Sequence, residues 1–106
     1  MSVIMTLRSN GDPKRLEERA ANNPDAIRAI AEQARKEGLI AHRFYGSDDG
    51  QVMVVDEWPD AESFQRFFAA NRAQIEPMMA DIGATGAPEV RFWHKLDTHD
   101  DVGWDA

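Results

Sequence analysis

Residues 39–58 read LIAHRFYGSDDGQVMVVDEW, two runs of β-branched and aromatic residues joined across Asp48, Asp49 and Gly50. This is the pattern of an antiparallel hairpin, because glycine takes the positive φ that a tight connection between right-twisted strands requires. Two registers are open. If Asp48-Asp49-Gly50 is a three-residue loop with left-handed Gly50, Ser47 opposes Gln51 and His42 lies directly across from Asp56. If Asp49-Gly50 is a two-residue loop, Arg43 opposes Asp56 and His42 opposes Glu57. The first register gathers Ile40, His42, Phe44, Val54, Asp56 and Trp58 on one face, since strand side chains alternate with period two.

The rest of the chain is read around this hairpin. Val3 to Arg8 form a first strand that stops at SNGDP, a cluster of turn formers. From Pro13 the pattern is helical, with Asp12 as N-cap and Pro13 where a missing N–H costs little. NNP breaks it, and Asn23 caps a second segment beginning at Pro24, in which Ile27, Ile30, Ala31 and Ala34 make one apolar stripe. Gly38 supplies the stop. Beyond the hairpin, Asp60 caps a helix with Phe64, Phe67 and Phe68 on one face. A further helical piece, separated near Asn71 or Arg72, carries Ile75, Met78, Met79 and Ile82, with Pro77 in its first turn or kinking it. EVRFWHKL then alternates as a last strand, with Val90, Phe92, His94 and Leu96 on one side.

Strand, helix, strand, strand, helix, strand is the order of the ferredoxin-like α+β fold, a four-stranded antiparallel sheet in one domain over residues 1–96. Residues 97–106 form an acidic, glycine-broken tail, poorly ordered unless Trp104 docks. A hydrophobic fraction of 42% beside 29% charged residues is that of a folded protein. The net charge of -7 repels nucleic acid and anionic membrane surfaces, so neither is expected as a partner. With no cysteine, no disulfide, thiolate nucleophile or zinc–thiolate site is available. The amino terminus has no signal-peptide pattern and no stretch is long enough to span a bilayer, which makes a cytoplasmic location the default. Helices cover one face of such a sheet. The other face also carries apolar side chains, from Met53 and Val55 and from Trp93, and two sheets packed face to face in a homodimer would bury them.

The element order, the DEWPDAESF passage and the closing strand resemble the dimeric α/β barrel proteins, in particular the antibiotic biosynthesis monooxygenase-like group. The resemblance spans Val3 to Leu96, and its most recognisable part is an acidic residue, one spacer and an aromatic at a strand end, here Asp56 and Trp58. It implies a homodimer, a pocket between sheet and helices in each subunit, and in some members cofactor-independent oxygenation of aromatic polyketides or haem degradation. Many relatives carry a histidine on the second helix where this chain has Phe67, and the haem-degrading members place an asparagine on the first strand, where this chain reads VIMTLR. Haem oxygenation is therefore disfavoured. The first hairpin register is preferred, because it sets the family-like acid and aromatic beside the apolar residues of the second strand.

In that register His42 and Asp56 are close enough to hydrogen-bond, a carboxylate orienting an imidazole as general base for a phenolic or α-carbonyl proton. The same pair also reads as a structural strand-end contact. Trp58, Phe44, Phe64 and Phe67, with His94, are candidate walls of a pocket for a flat aromatic molecule, and equally candidates for the core. The three histidines show no metal-ligand spacing, and no phosphate loop or nucleotide fingerprint occurs, so neither metal nor cofactor is expected. The leading reading is a small-molecule-binding monooxygenase or cyclase acting on aromatic or polyketide-like substrates. The competing reading is a non-catalytic ligand-binding or interaction module of the stress-responsive α/β barrel type.

Overall fold

In the computed structural model, which describes residues 1–104, the alternation of the first strand translates directly into burial. Val3, Met5 and Leu7 point into the core while Ile4, Thr6 and Arg8 face away. This strand, β1 (Val3–Asn10), runs two residues further than its composition suggests. Ser9 and Asn10 pair with Val52 and Gln51 across the sheet, and ladder bonds between strands outweigh the local turn preference of Ser-Asn.

Two helices follow. In α1 (Pro13–Asn22) the Asp12 carboxylate accepts from the Lys14 N–H at 3.0 Å, satisfying one of the free donors of the first turn. In α2 (Pro24–Lys36) the expected side-chain cap from Asn23 is not made; the Asn23 carbonyl instead accepts from Ala26 N–H at 3.3 Å. The end of α2 is closed by Gly38, whose φ of 112° lets Leu39 N–H reach back to the Ala34 carbonyl at 3.0 Å, a Schellman closure.

The hairpin comprises β2 (Ala41–Gly46) and β3 (Gln51–Trp58), and its register pairs His42 with Asp56, Phe44 with Val54 and Gly46 with Val52. Gly50 has φ of 84°, as the three-residue loop requires, and Ser47 N–H bonds the Gln51 carbonyl. A packing contact reinforces this choice. A β-carbon on Gly46 would stand 2.6 Å from Cβ of Pro13, so the start of α1 leans on a position that only glycine fills. Slipping the hairpin by one residue would bring Ser47 there.

Then comes α3 (Ala61–Asp81), one continuous helix where two pieces were expected. Asn71 does not break it, because its side-chain amide donates to the Phe67 carbonyl one turn back, at 3.0 Å, and so stays within the helical geometry. Phe64, Phe67, Ile75 and Met78 therefore form one buried stripe, and Pro77 lies inside the helix rather than in a first turn. The last strand, β4 (Glu89–Trp93), is shorter than its alternation suggests, and His94 and Leu96 lie beyond it, exposed. Trp104 is exposed also and docks nowhere among the described residues; the final two positions of the expected tail lie outside them.

The sheet order is β2-β3-β1-β4, every neighbouring pair antiparallel, which is the ferredoxin-like α+β fold. The larger core cluster includes Met5, Leu7, Trp58, Phe64 and Phe67; a smaller one gathers Leu16, Val52 and Ile82. On the opposite sheet face Ile4, Tyr45 and Trp93 remain partly exposed, and Trp93 is held there by its indole N–H on Thr6 Oγ1 at 2.9 Å. No helix among the described residues is long and apolar enough to cross a membrane.

Candidate active site

Register and alternation bring three helix-facing residues into one row across three strands, His42 on β2, Asp56 on β3 and Met5 on β1, with Phe44, Val54 and Leu7 forming the next row. His42 Nδ1 lies 2.7 Å from Asp56 Oδ1. On the other oxygen, Trp58 Nε1–H donates to Asp56 Oδ2 at 3.1 Å. Asp56 is thus a buried carboxylate, 5% exposed, with a donor on each oxygen, which is what burial of such a group demands. A carboxylate accepts only, so in neutral His42 the proton sits on Nδ1 and the lone pair is on Nε2. Nε2 has no protein partner among the described residues. The imidazole also meets the Phe44 ring edge-on, with centroids 5.0 Å apart, which limits its rotation.

This pair opens onto a cavity of about 670 Å³ between the sheet and the helices α2 and α3. The cavity has the size and the mostly apolar wall of a small-molecule site. Its floor is Met5, Leu7, Ser9, Phe44 and Val54; Ile27, Ile30 and Ala34 of α2 and Phe64, Phe67 and Met79 of α3 form the walls. The expected stripe of α2 therefore faces the cavity, and the α3 phenylalanines line it without filling it. Asp60 anchors the roof. Its carboxylate accepts from the N–H and hydroxyl of Ser63 at 2.7 and 2.8 Å, and these bonds, with Arg66 nearby, hold its pKa below the usual aspartate value. Capping at Asp60 sets the phase of α3, which places Phe64 and Phe67 against the Trp58 ring at centroid distances of 5.9 and 5.6 Å. Glu89, on the outer sheet face, is held below its usual value by Arg8 and Arg91.

Of the residues singled out in the sequence, His42, Asp56, Phe44, Phe64 and Phe67 come together at the cavity. Two do not. Trp58, expected as a wall, is wholly buried behind Asp56, because its indole N–H is drawn to the carboxylate and its ring packs on α3. His94 follows the end of β4 and is exposed outside the cavity, because β4 stops at Trp93. Sequence reasoning passed over Ser9, and also Arg72 and Glu76 of α3, which line the cavity and pair loosely at 3.9 Å. For Ser9 a signal existed: the buried alternation Val3, Met5, Leu7 continues to it once the strand is allowed two more residues.

Fold and site together define a ferredoxin-like α+β protein that holds an oriented histidine–aspartate pair at the end of an apolar cavity. Its solved structural neighbours include antibiotic biosynthesis monooxygenase-like and dimeric ferredoxin-like proteins. SnoaB, a cofactor-independent oxygenase from Streptomyces nogalater, superposes with a TM-score of 0.63 at 15% identity, covering 94% of this chain and 98% of its own. A monooxygenase from the gene ActVA-Orf6 of Streptomyces coelicolor, solved with nanaomycin D, gives 0.64 at 17% identity over 90% of this chain and 88% of its own. A dimeric ferredoxin-like protein from an uncultured marine organism gives 0.61 at 12% identity over 90% and 88%. At these identities the likeness establishes the fold. No family model matches the sequence, and no curated protein matches it significantly.

Proposed function

We propose that this protein is a cofactor-independent monooxygenase, or a cyclase using the same proton transfer, acting on a small aromatic or polyketide-like molecule. One observation carries the reading: the His42–Asp56 pair meets inside an open apolar cavity, with Nε2 of His42 free to take a proton. His42 removes the acidic proton of a phenol or of a carbon beside a carbonyl, and Asp56 stabilises the imidazolium that forms. Aromatic walls receive the planar body of the substrate. In the oxygenase, the electron-rich anion reacts with O2, and an activated methylene plus O2 yields a ketone and water. The description of SnoaB as a cofactor-independent oxygenase supports the reaction class, and the nanaomycin D bound to the Streptomyces coelicolor monooxygenase supports the substrate class.

The test is oxygen uptake on a panel of anthrones and quinols. The protein should consume oxygen above buffer, and His42→Ala should lower the rate about 10²- to 10⁴-fold, the usual share of a general base. Undiminished uptake in His42→Ala would remove the residue from the mechanism. If no member of the panel is turned over but some bind, the non-catalytic ligand-binding reading takes precedence.

The same proposal includes a homodimer formed through the outer sheet face, where Ile4, Tyr45 and Trp93 are exposed to 37%, 48% and 48%. The dimeric ferredoxin-like neighbour supports it. Light scattering should give twice the chain mass at micromolar concentration, and monomer mass throughout would refute this part.

A further inference from the structure

The Ser9 hydroxyl has no hydrogen-bond partner among the described residues, although the residue is only 9% exposed. Leaving a hydroxyl buried and unpaired is unfavourable, so such a group points to a partner that arrives from elsewhere. Ser9 is on the helix-facing side of β1, in line with Met5 and Leu7, and it lines the same cavity as His42. Its ladder partner Val52 belongs to the cluster with Ile82, at the end of α3, against which Met79 packs, whereas His42 pairs with Asp56, whose other partner Trp58 packs on Phe64 and Phe67 from the beginning of α3. On the sheet side, the two polar groups therefore lie at separate ends of a mainly apolar space, whose helix side also carries the Arg72–Glu76 pair.

The ladder sets their separation. Ser9 is four residues along β1 from Met5, and Met5 is two strands across from His42 in register. At strand geometry this is about 13 Å along and about 10 Å across, or roughly 16 Å between α-carbons. Side chains on one face stand roughly perpendicular to the sheet, so Ser9 Oγ and His42 Nε2 keep about this separation, and about 3 Å for a hydrogen bond at each end leaves roughly 10 Å between the ligand atoms engaged. That is longer than one ring spans and fits two oxygens at the ends of a fused three-ring frame.

We propose that Ser9 is a second polar anchor on the sheet side of the cavity, donating its hydroxyl to an oxygen of the ligand remote from the group that faces His42. The ligand class is then a flat, fused-ring molecule with oxygen substituents at both ends. This inference rests on the reading of the cavity as an aromatic-binding site. Ser9 selects among ligands by length and by the remote oxygen, and takes no part in proton removal.

The experiment is a calorimetric comparison of two probes, 2,6-dihydroxyanthraquinone and 2-hydroxyanthraquinone, which differ only in the remote oxygen. The wild-type protein should prefer the dihydroxy probe roughly five- to twentyfold, one net hydrogen bond multiplied by the twofold advantage of a symmetric ligand. In Ser9→Ala that preference should fall to the twofold symmetry factor, with the affinity for 2-hydroxyanthraquinone unchanged. The melting temperature of unliganded Ser9→Ala should hold or rise, since the hydroxyl bonds nothing in the folded protein. An unchanged preference in Ser9→Ala, or a lowered melting temperature, overturns the assignment to Ser9 while leaving the aromatic-binding reading intact. Failure of the wild-type protein to bind either probe overturns both.

Discussion

Asp56→Asn tests the site more sharply than any deletion, because it keeps the shape and changes only what each oxygen position can do. Asp56 receives His42 Nδ1–H at 2.7 Å on one oxygen and Trp58 Nε1–H at 3.1 Å on the other. An asparagine has one acceptor and one donor, so its NH2 must face one of the two partners. Trp58 has only a donor and is wholly buried, so an NH2 turned towards it would leave two N–H groups opposed without water. His42 can adapt, since its ring proton can move to Nε2 and leave Nδ1 as acceptor. The amide oxygen should therefore stay with Trp58 and the NH2 should face His42. The variant keeps its fold and loses the lone pair at Nε2.

Two magnitudes follow. Replacing two charge-assisted hydrogen bonds by neutral ones costs about 1–3 kcal/mol, or a fall of roughly 5–15 °C in melting temperature for a chain of this size. Activity on any confirmed substrate should fall about 10²- to 10⁴-fold, with affinity for an unreactive aromatic ligand nearly unchanged. Nitrogen NMR of the labelled His42 ring gives the direct readout, a proton on Nδ1 in wild type and on Nε2 in Asp56→Asn at a pH where the ring is neutral. A proton still on Nδ1 in the variant, or turnover within threefold of wild type, would refute the reasoning.

Two further expectations test how the site is held. Gly46→Ala should destabilise by about 1–3 kcal/mol in urea titration, because the added methyl would stand 2.6 Å and 2.8 Å from two Pro13 ring carbons; an unchanged midpoint would mean that α1 is free to retreat. Asp60 has a lowered pKa in the folded protein, so the stability it contributes is fully present above its ordinary value of 3.8 and is lost as pH falls below that value. Asp60→Ala should accordingly lose less stability than wild type between pH 6 and pH 3 in thermal melts, and parallel curves would show that the cap does not contribute.

Much of this protein was legible in order: the hairpin, the caps at Asp12 and Asp60, the glycine stop at Gly38 and the apolar stripes of the helices. These are set by groups a few residues apart, such as Asp60 and Ser63, or by the period of an apolar stripe. The resemblance carried by Asp56 and Trp58 pointed to the correct fold, but the role of Trp58 could not be seen. Only packing against Phe64 and Phe67 turns its ring inward and its N–H onto the carboxylate. His94 was misplaced for a related reason, since alternation continues past Trp93 in the sequence while the pairing with β1 stops there.

The sequence by itself determined that a hairpin forms, which elements flank it, and that an acid and a histidine lie close on it in one of two registers. The folded chain shows which register forms, with left-handed Gly50 in the loop, His42 paired to Asp56, and Gly46 set so close to Pro13 that a β-carbon would not fit. Tertiary structure also extended β1 to Ser9 and made α3 continuous, so that Ser9, His42 and residues from both halves of α3 line one cavity. The division has a physical cause. Caps, turns and periodicity depend on neighbours within about one helical turn, whereas register, burial and the orientation of a side chain depend on partners brought together only by the folded sheet.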